Sequence, residues 1–128
     1  MTVKEIRHFK DLIVWQRSHQ LFLDVVNDIE KFPKNAVSRV IIDQIVRSAG
    51  SISSNIAEGF NSMTTKQYLS FLDIARRSSA ESENWFYKLR DIGYLQKEVS
   101  GTRINECTEI NRMIYGLMKS LREKPLKR

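Results

Sequence analysis

The sequence is poor in the residues that form covalent frameworks and tight turns: its 128 residues include one cysteine, two prolines and five glycines. A single cysteine excludes an internal disulfide framework and a cysteine-rich zinc site. So few turn-forming residues argue against a β-sandwich or barrel and favour a few long helices. No apolar run approaches the roughly 18 residues that span a membrane, and no N-terminal stretch resembles a signal peptide. We therefore expect a cytoplasmic protein without membrane contact.

The charge is positive overall, with 21 Lys and Arg against 15 Asp and Glu and a formal net charge of +6. The hydrophobic share of 41% and the charged share of 28% are those of an ordinary soluble globular protein. A chain of this length supports one hydrophobic core, so we predict a single domain over residues 1–128. A surplus of Lys and Arg attracts polyanions, of which nucleic acid is the commonest. The alternative is a solvated surface that keeps the protein soluble.

Four amphipathic segments follow one another with short connections. Apolar residues recur at steps of three and four in each predicted helix, over residues 11–31, 38–60, 65–92 and 101–123. Asp11 and Ser38 are predicted N-caps, and Gly93 is the predicted end of the third helix. This pattern predicts an all-α, antiparallel up-down four-helix bundle. Residues 1–10 and 124–128 are predicted to be frayed basic tails.

Two of the predicted helices carry more apolar residues than one bundle stripe requires. In the first helix we assign the core to a line of six residues, Leu12, Trp15, Phe22, Leu23, Val26 and Ile29. A second apolar line lies about 100° round this helix, and the third helix has a similar addition. Additional lines predict burial against another copy of the chain, although a wide core stripe would give the same pattern. The predicted homo-oligomer interface consists of Val14, Leu21, Val25, Phe71, Ile74 and Trp85.

The fourth predicted helix carries a row of cations opposite its apolar stripe. Arg112, Lys119 and Arg122 fall within about 80° of one another, with Tyr115 among them. Such a row can contact phosphates, and its ring can stack on an unpaired base. The alternative is a solvated face, since acidic residues flank the row on the same helix. The candidate nucleic-acid surface also includes outward-facing cations of the second and third helices, Arg47, Arg76 and Arg77.

Side chains with catalytic chemistry are few and scattered. His8 lies in the N-terminal tail, and His19 lies among apolar residues of the first helix, where a hydrogen-bonded core histidine is the commoner case. Cys107 lies on the apolar stripe of the fourth helix, as a small hydrophobic residue does. The sequence has no Gly-rich phosphate loop, no helical histidine pair for a metal and no nucleophile elbow. We expect a non-enzymatic protein with no cofactor and no metal.

Five sequence segments occur in a characteristic order. They are FKDLIVWQRS at 9–18, KFPKN at 31–35, QIVRSAGSISSNIAEGF at 44–60, YLSFLDIARRSSAE at 68–81 and IGYL at 92–95. In this order they resemble the four-helix-bundle proteins encoded within intervening sequences of bacterial 23S ribosomal RNA genes. The resemblance covers residues 9–95, and the fourth helix matches only in its amphipathic pattern. The most specific parts are the start at 11–16 and the Ser-Asn-Ile-Ala-Glu-Gly run at 54–59.

The resemblance implies an up-down four-helix bundle that associates into a ring-like homopentamer, and it brings no catalytic residues. A related group, the accessory proteins of diversity-generating retroelements, forms basic pentamers that bind nucleic acid and a reverse transcriptase. The molecular role of the intervening-sequence proteins themselves is not established. Relatives usually carry a basic pair where this chain has residues 61–64, and often Gly-Ser in place of Arg76 and Arg77. Arg47 matches a basic position that is common in the family.

Two hypotheses from different classes follow from these observations. The first is a non-enzymatic, homo-oligomeric bundle that binds structured RNA through phosphate contacts. The second is a protein-interaction scaffold whose basic surface docks an acidic partner, such as a reverse transcriptase. A metal-dependent or nucleotide-dependent enzyme has no residues to support it.

Overall fold

The structure is a computed structural model in which residues 5–127 are described. Its elements are a 3-10 turn at Phe9–Asp11, α1 (Ile13–Ile29), α2 (Ala36–Phe60), α3 (Thr65–Asp91) and α4 (Lys97–Glu123). α1 packs against α2, α2 against α3 and α3 against α4, and α4 closes on α1. The connections are short, so successive helices run in opposite directions. The predicted all-α four-helix bundle is confirmed.

The N-caps of α1 and α2 differ from the predicted ones. α2 begins at Ala36 because Asn35, rather than Ser38, is its N-cap: the Asn35 side chain accepts a 2.9 Å hydrogen bond from the Ser38 N–H. α1 has Leu12 at its N-cap position, without a side-chain hydrogen bond. Asp11 instead belongs to the preceding 3-10 turn, where its carboxylate accepts from backbone N–H groups. The apolar periodicity predicts the helices well, but it leaves the choice between neighbouring polar caps open.

The ends of α3 follow the prediction more closely. The Thr64 side chain caps its start, accepting a 3.1 Å hydrogen bond from a backbone N–H. Beyond its end, Gly93 adopts a φ of +81°, a left-handed conformation that glycine takes without strain. This turn lets the Tyr94 N–H donate to the Leu89 carbonyl at 2.9 Å and leads directly into α4. α4 therefore begins at Lys97 rather than at residue 101.

The inward face of α1 is formed by residues that were predicted to lie in a subunit interface. Val14, Leu21 and Val25 are 6%, 1% and 1% exposed and belong to the core of their own chain. The line assigned to the core lies on the flank instead, with Val26 39% exposed. The inward line is hard to recognise in the sequence because it contains a polar residue, Ser18. The Ser18 hydroxyl donates to the Val14 carbonyl at 2.7 Å, so this side chain is buried with its hydrogen bond satisfied. The interface prediction is wrong for these three residues.

Serine hydroxyl groups line the contact between α2 and α3. Ser82 Oγ lies 3.0 Å from Ser48 Oγ, and Ser78 Oγ donates to Ser51 Oγ at 2.9 Å. Ser48 and Ser82 are buried, so their hydroxyls depend on each other and on backbone carbonyls for hydrogen bonds. Small side chains at these positions let the two helix backbones approach closely.

α1 and α4 are joined by ion pairs. Arg103 donates to both carboxylate oxygens of Asp28, at 2.8 and 2.9 Å, and lies 3.6 Å from a carboxylate oxygen of Asp24. The side chains of Arg103 and Asp28 are only 17% and 13% exposed. The hydrogen bond to Asp28 raises the pKa of Arg103, so its guanidinium stays charged. A second pair, Arg17 with Glu106, joins the same two helices.

The described parts of both predicted tails make contacts that frayed tails would lack, and at the N-terminal side the Phe9 ring lies 5.2 Å from the Trp15 ring of α1, centroid to centroid. At the N-terminal side, the Asp11 carboxylate accepts hydrogen bonds of 2.9 and 3.0 Å from the backbone that precedes the 3-10 turn. At the C-terminal side, the Leu126 N–H donates to Thr65 Oγ1 at 2.8 Å. The remainder of the predicted tails, residues 1–4 and 128, lies outside the described residues.

Candidate nucleic-acid interface

The outward faces of α3 and α4 lie side by side and carry most of the cations that the sequence predicted. On α4, Arg112, Lys119 and Arg122 are exposed, and Tyr115 is 55% exposed. On α3, the side chain of Arg77 is 71% exposed. The bundle therefore presents both sets of cations on one side, and we call this surface the α3–α4 face.

Arg76 connects the two helices of this face. Its guanidinium carbon lies 5.7 Å from the centre of the Tyr115 ring, within the range of a cation–π contact. Asp73 fixes that guanidinium, accepting from Nε at 3.2 Å and from Nη2 at 2.8 Å. The hydrogen bond to Asp73 raises the pKa of Arg76 and keeps the group cationic. Tyr115 is thus packed beside a fixed positive charge while more than half of the residue remains exposed.

A groove of about 690 Å³ runs between α3 and α4, near the start of α3. Its cationic lining comes from Lys66, Arg77 and Arg122, and its apolar lining includes Leu69 and Met118. Lys66 was not among the predicted site residues, because one lysine in the first turn of a helix carries no signal in a sequence. Only the antiparallel packing of α3 on α4 places it on the same groove as Arg122.

Carboxylates neutralise part of this surface. Glu109 pairs with Arg112 at 2.8 Å, and Asp73 pairs with both arginines of α3. A cation without a carboxylate partner displaces only water when it binds a phosphate, whereas a paired cation must also lose its ion pair. Three cations of the face have no carboxylate within 4.0 Å among residues 5–127: Lys66, Lys119 and Arg122.

The C-terminal tail adds positive charge at the same end of the bundle. Leu126 packs partly buried against the core, and its hydrogen bond to Thr65 places the tail next to the start of α3. Lys124 and Lys127, on either side of Leu126, are exposed. The local cationic density is therefore higher than the helices alone provide.

Arg47 is not brought into the α3–α4 face. It lies on α2, which packs between α1 and α3. Its Nη2 donates to Gln44 Oε1 at 2.7 Å on the same helix, and the side chain is exposed. The seven predicted binding residues therefore divide into six on one face and Arg47 elsewhere.

A second surface feature is a largely apolar groove between α1 and α2. Trp15, His19 and Phe22 form its aromatic side, and the Trp15 and His19 rings stack with their centroids 4.8 Å apart. The opposite side consists of small residues that include Gly50 and Ala57. A Cβ on Gly50 would lie 3.3 Å from the Phe22 ring, so this glycine allows α1 to approach α2 closely. We call this surface the α1–α2 groove.

The interface residues predicted on α3 are at the surface, in contrast to those on α1. Ile74 is 41% exposed, while Phe71 and Trp85 are half-buried. Phe71 lies beside the backbone of Gly59, which explains part of its burial within the chain. Ile74 and Trp85 remain accessible to a partner.

Cys107 is buried in the core, and His8 takes part in the N-terminal turn. Burial raises the pKa of the Cys107 thiol to about 12, so it is neither a thiolate nor accessible at neutral pH. His8 Nδ1 accepts a 3.1 Å hydrogen bond from the Lys10 N–H and shapes the N-terminal turn. Over the described range 5–127, His, Cys, Asp and Glu nowhere form a group of three that could hold a metal ion. No helix in that range has the length and apolarity needed to cross a membrane.

Comparison with known proteins identifies a family and shows similarity to solved structures. Residues 10–116 match the family model of the 23S rRNA-intervening sequence protein. No curated protein matches the chain. A crystal structure of a protein of unknown function from the S23 ribosomal protein family of Bacteroides thetaiotaomicron VPI-5482 is similar, with 27% identity and a TM-score of 0.77 over 84% of this chain and 99% of that one. Since the family model covers most of the bundle, this chain belongs to the 23S rRNA-intervening sequence protein family.

Proposed function

We propose that this protein is a non-enzymatic, homo-oligomeric bundle that binds structured RNA through phosphate contacts on the α3–α4 face. The observation that carries the proposal is the set of cations there, Lys66, Lys119 and Arg122, which have no carboxylate partner within residues 5–127. Phosphate contacts release condensed counterions, so even a small set of such cations supports salt-dependent binding.

Self-association would increase the affinity of the protein for RNA, because one assembly would carry several copies of the α3–α4 face. The flank of α1 stays apolar after the core has formed, with Leu23 44% and Val26 39% exposed beside the half-buried Trp15 and Phe22. Such a surface favours contact with another copy of the chain. Each added copy repeats the α3–α4 face, and several faces on one RNA bind with a much higher effective concentration than one. A homopentamer is the assembly that the family resemblance leads us to propose.

The test is RNA binding measured against salt. We expect a labelled RNA hairpin to bind with an affinity that falls on a log–log plot as salt rises, with a slope of about 0.7 to 0.9 per phosphate contact. The double variant Lys119→Glu/Arg122→Glu should lower both the affinity and the slope. The matched control is Lys34→Glu/Arg39→Glu, which changes the net charge equally, with Lys34 in the connection between α1 and α2 and Arg39 near the start of α2.

Two results would contradict the proposal. One is a salt slope near zero, which would mean that no phosphate contacts form. The other is an equal loss of affinity in the two double variants, which would mean that only the net charge matters. Binding of poly-glutamate as tightly as of RNA, at the same salt, would favour the scaffold for an acidic protein partner instead.

A further inference from the structure

We infer that Tyr115 stacks on an unpaired base, so that the α3–α4 face binds loops or single-stranded segments of RNA in preference to continuous duplex. The inference rests on the proposed function and adds the class of RNA that the protein binds. It comes from the contact between Arg76 and Tyr115, which joins two helices that the sequence leaves separate.

The ring of Tyr115 is held in place although it is at the surface. Arg76 lies 5.7 Å from the ring centre, and Arg76 is itself held by two hydrogen bonds to Asp73. A side chain that is already ordered loses little conformational entropy when a base packs against it. With 55% of the residue exposed, Tyr115 retains surface for a base in addition to its contact with Arg76. An aromatic ring beside an arginine is a stacking surface that accepts any of the four bases.

Cations suitable for the adjoining phosphates lie along the same helix. Lys119 and Arg122 are one and two turns beyond Tyr115, about 6 and 10 Å along the helix axis. Neither has a carboxylate within 4.0 Å in the described chain, so both are available to phosphates next to the stacked base. In duplex RNA the faces of every base are covered by its neighbours, so only an unpaired nucleotide can use both the ring and the cations.

The same chain offers a matched control for the aromatic contact. Arg90 lies 5.0 Å from the centre of the Tyr87 ring, and Asp91 accepts from Arg90 Nε at 2.9 Å, so this is another arginine–tyrosine pair held by an aspartate. Tyr87 is 39% exposed and lies eleven residues beyond Arg76, about 16 Å along α3. It is outside the row of cations on α4 that contains Lys119.

The experiment measures fluorescence anisotropy of a labelled single-stranded 12-nucleotide RNA, and of a duplex of the same length, with the full-length protein. We expect the single strand to bind more tightly than the duplex. Tyr115→Leu should weaken single-strand binding by about 5-fold to 150-fold, the loss that base stacking on an aromatic ring implies. Tyr115→Phe, which keeps a ring, should bind like the wild type. Tyr87→Leu should change nothing.

The salt slope separates failure of this inference from failure of the proposed function. Tyr115→Leu removes no cation, so we expect its log–log slope to equal that of the wild type. A salt-dependent wild type whose affinity is unaffected by Tyr115→Leu, or which prefers duplex, overturns the stacking and leaves the phosphate contacts in place. A wild type that binds neither RNA at low salt overturns both proposals.

Discussion

Gly59 on α2 lies directly against the ring of Tyr68 on α3: a Cβ at Gly59 would be 2.9 Å from Tyr68 Cδ1. It would also be 3.1 Å from the Cβ of Phe71, which cannot move without the backbone. Tyr68 is 4% exposed, so its ring is surrounded by closely packed neighbours that oppose its displacement. We therefore expect Gly59→Ala to destabilise the protein by about 1 to 2 kcal/mol, despite the better helix propensity of alanine, as measured by chemical denaturation.

Gly116 provides the control for that substitution. It lies in α4 and is exposed, and apart from its chain neighbours and the backbone of its own helix no atom lies within 4 Å of the position that a Cβ would take. Gly116→Ala should therefore stabilise the protein by about 0.5 to 1 kcal/mol through helix propensity alone. Equal effects of the two alanines, in either direction, would show that the close approach of α2 to α3 is not what Gly59 provides.

The neighbouring residues Val25 and Val26 separate the core from the proposed interface between copies. Val25 is 1% exposed, so Val25→Asp places a charge in the core and should unfold the protein. Val26 is 39% exposed, so Val26→Asp should leave the helical circular dichroism unchanged and lower the mass measured by light scattering. A wild type with the 15.0 kDa mass of one chain at micromolar concentration would contradict the homo-oligomer.

Removal of Arg103 should test the ion pairs between α1 and α4. Arg103→Met leaves the Asp28 carboxylate, 13% exposed, without its two charged hydrogen bonds. We expect a loss of about 2 to 3 kcal/mol in the free energy of unfolding, between the values typical of exposed and of fully buried pairs. Arg112→Met is the control, since the side chains of Arg112 and Glu109 are 73% and 43% exposed, and its effect should stay below about 1 kcal/mol. Similar losses in both variants would contradict this account.

Cys107 should make the protein sensitive to alkali. Burial raises the pKa of its thiol from 9.0 to about 12, so the folded state holds this proton more tightly than the unfolded state does. The resulting stability is complete below pH 9 and is lost as the pH rises towards 12. Between pH 8 and pH 10 we expect a loss of about 1.4 kcal/mol that Cys107→Ala does not show, measured by urea denaturation. The same pH dependence in both proteins would rule out the thiol as its cause.

The helices could be predicted from the sequence because each has a clear apolar period, but the orientation of α1 could not. Its two apolar lines lie about 100° apart, and the line with the larger residues, including Trp15 and Phe22, is the more conspicuous. The true inward line contains Ser18, whose burial depends on a hydrogen bond to the Val14 carbonyl. Periodicity shows that a helix has an apolar face, whereas its rotation in the bundle depends on how side chains fit the neighbouring helices.

The candidate site, like α1, could be predicted from the sequence only in part. The row on α4 follows from its spacing along one helix, and Asp73 could have been paired with Arg76 by the three-residue step between them. The contact of Arg76 with Tyr115 joins residues far apart in the chain and depends on the register of α3 against α4. Lys66 likewise becomes part of the groove only through that register.

The hydroxyl pairs between α2 and α3 restrict how the two helices can slide. A shift of one helical turn, about 5.4 Å, would still bring aliphatic side chains into contact, because the apolar residues recur at nearly that interval. It would separate Ser48 from Ser82 and Ser51 from Ser78, so both hydrogen bonds between the helices would be lost, and Ser48 and Ser82 would keep only the bonds to carbonyls of their own helices. The four serines therefore favour the observed alignment of α2 and α3 over alignments shifted by one turn, which aliphatic contacts alone would tolerate.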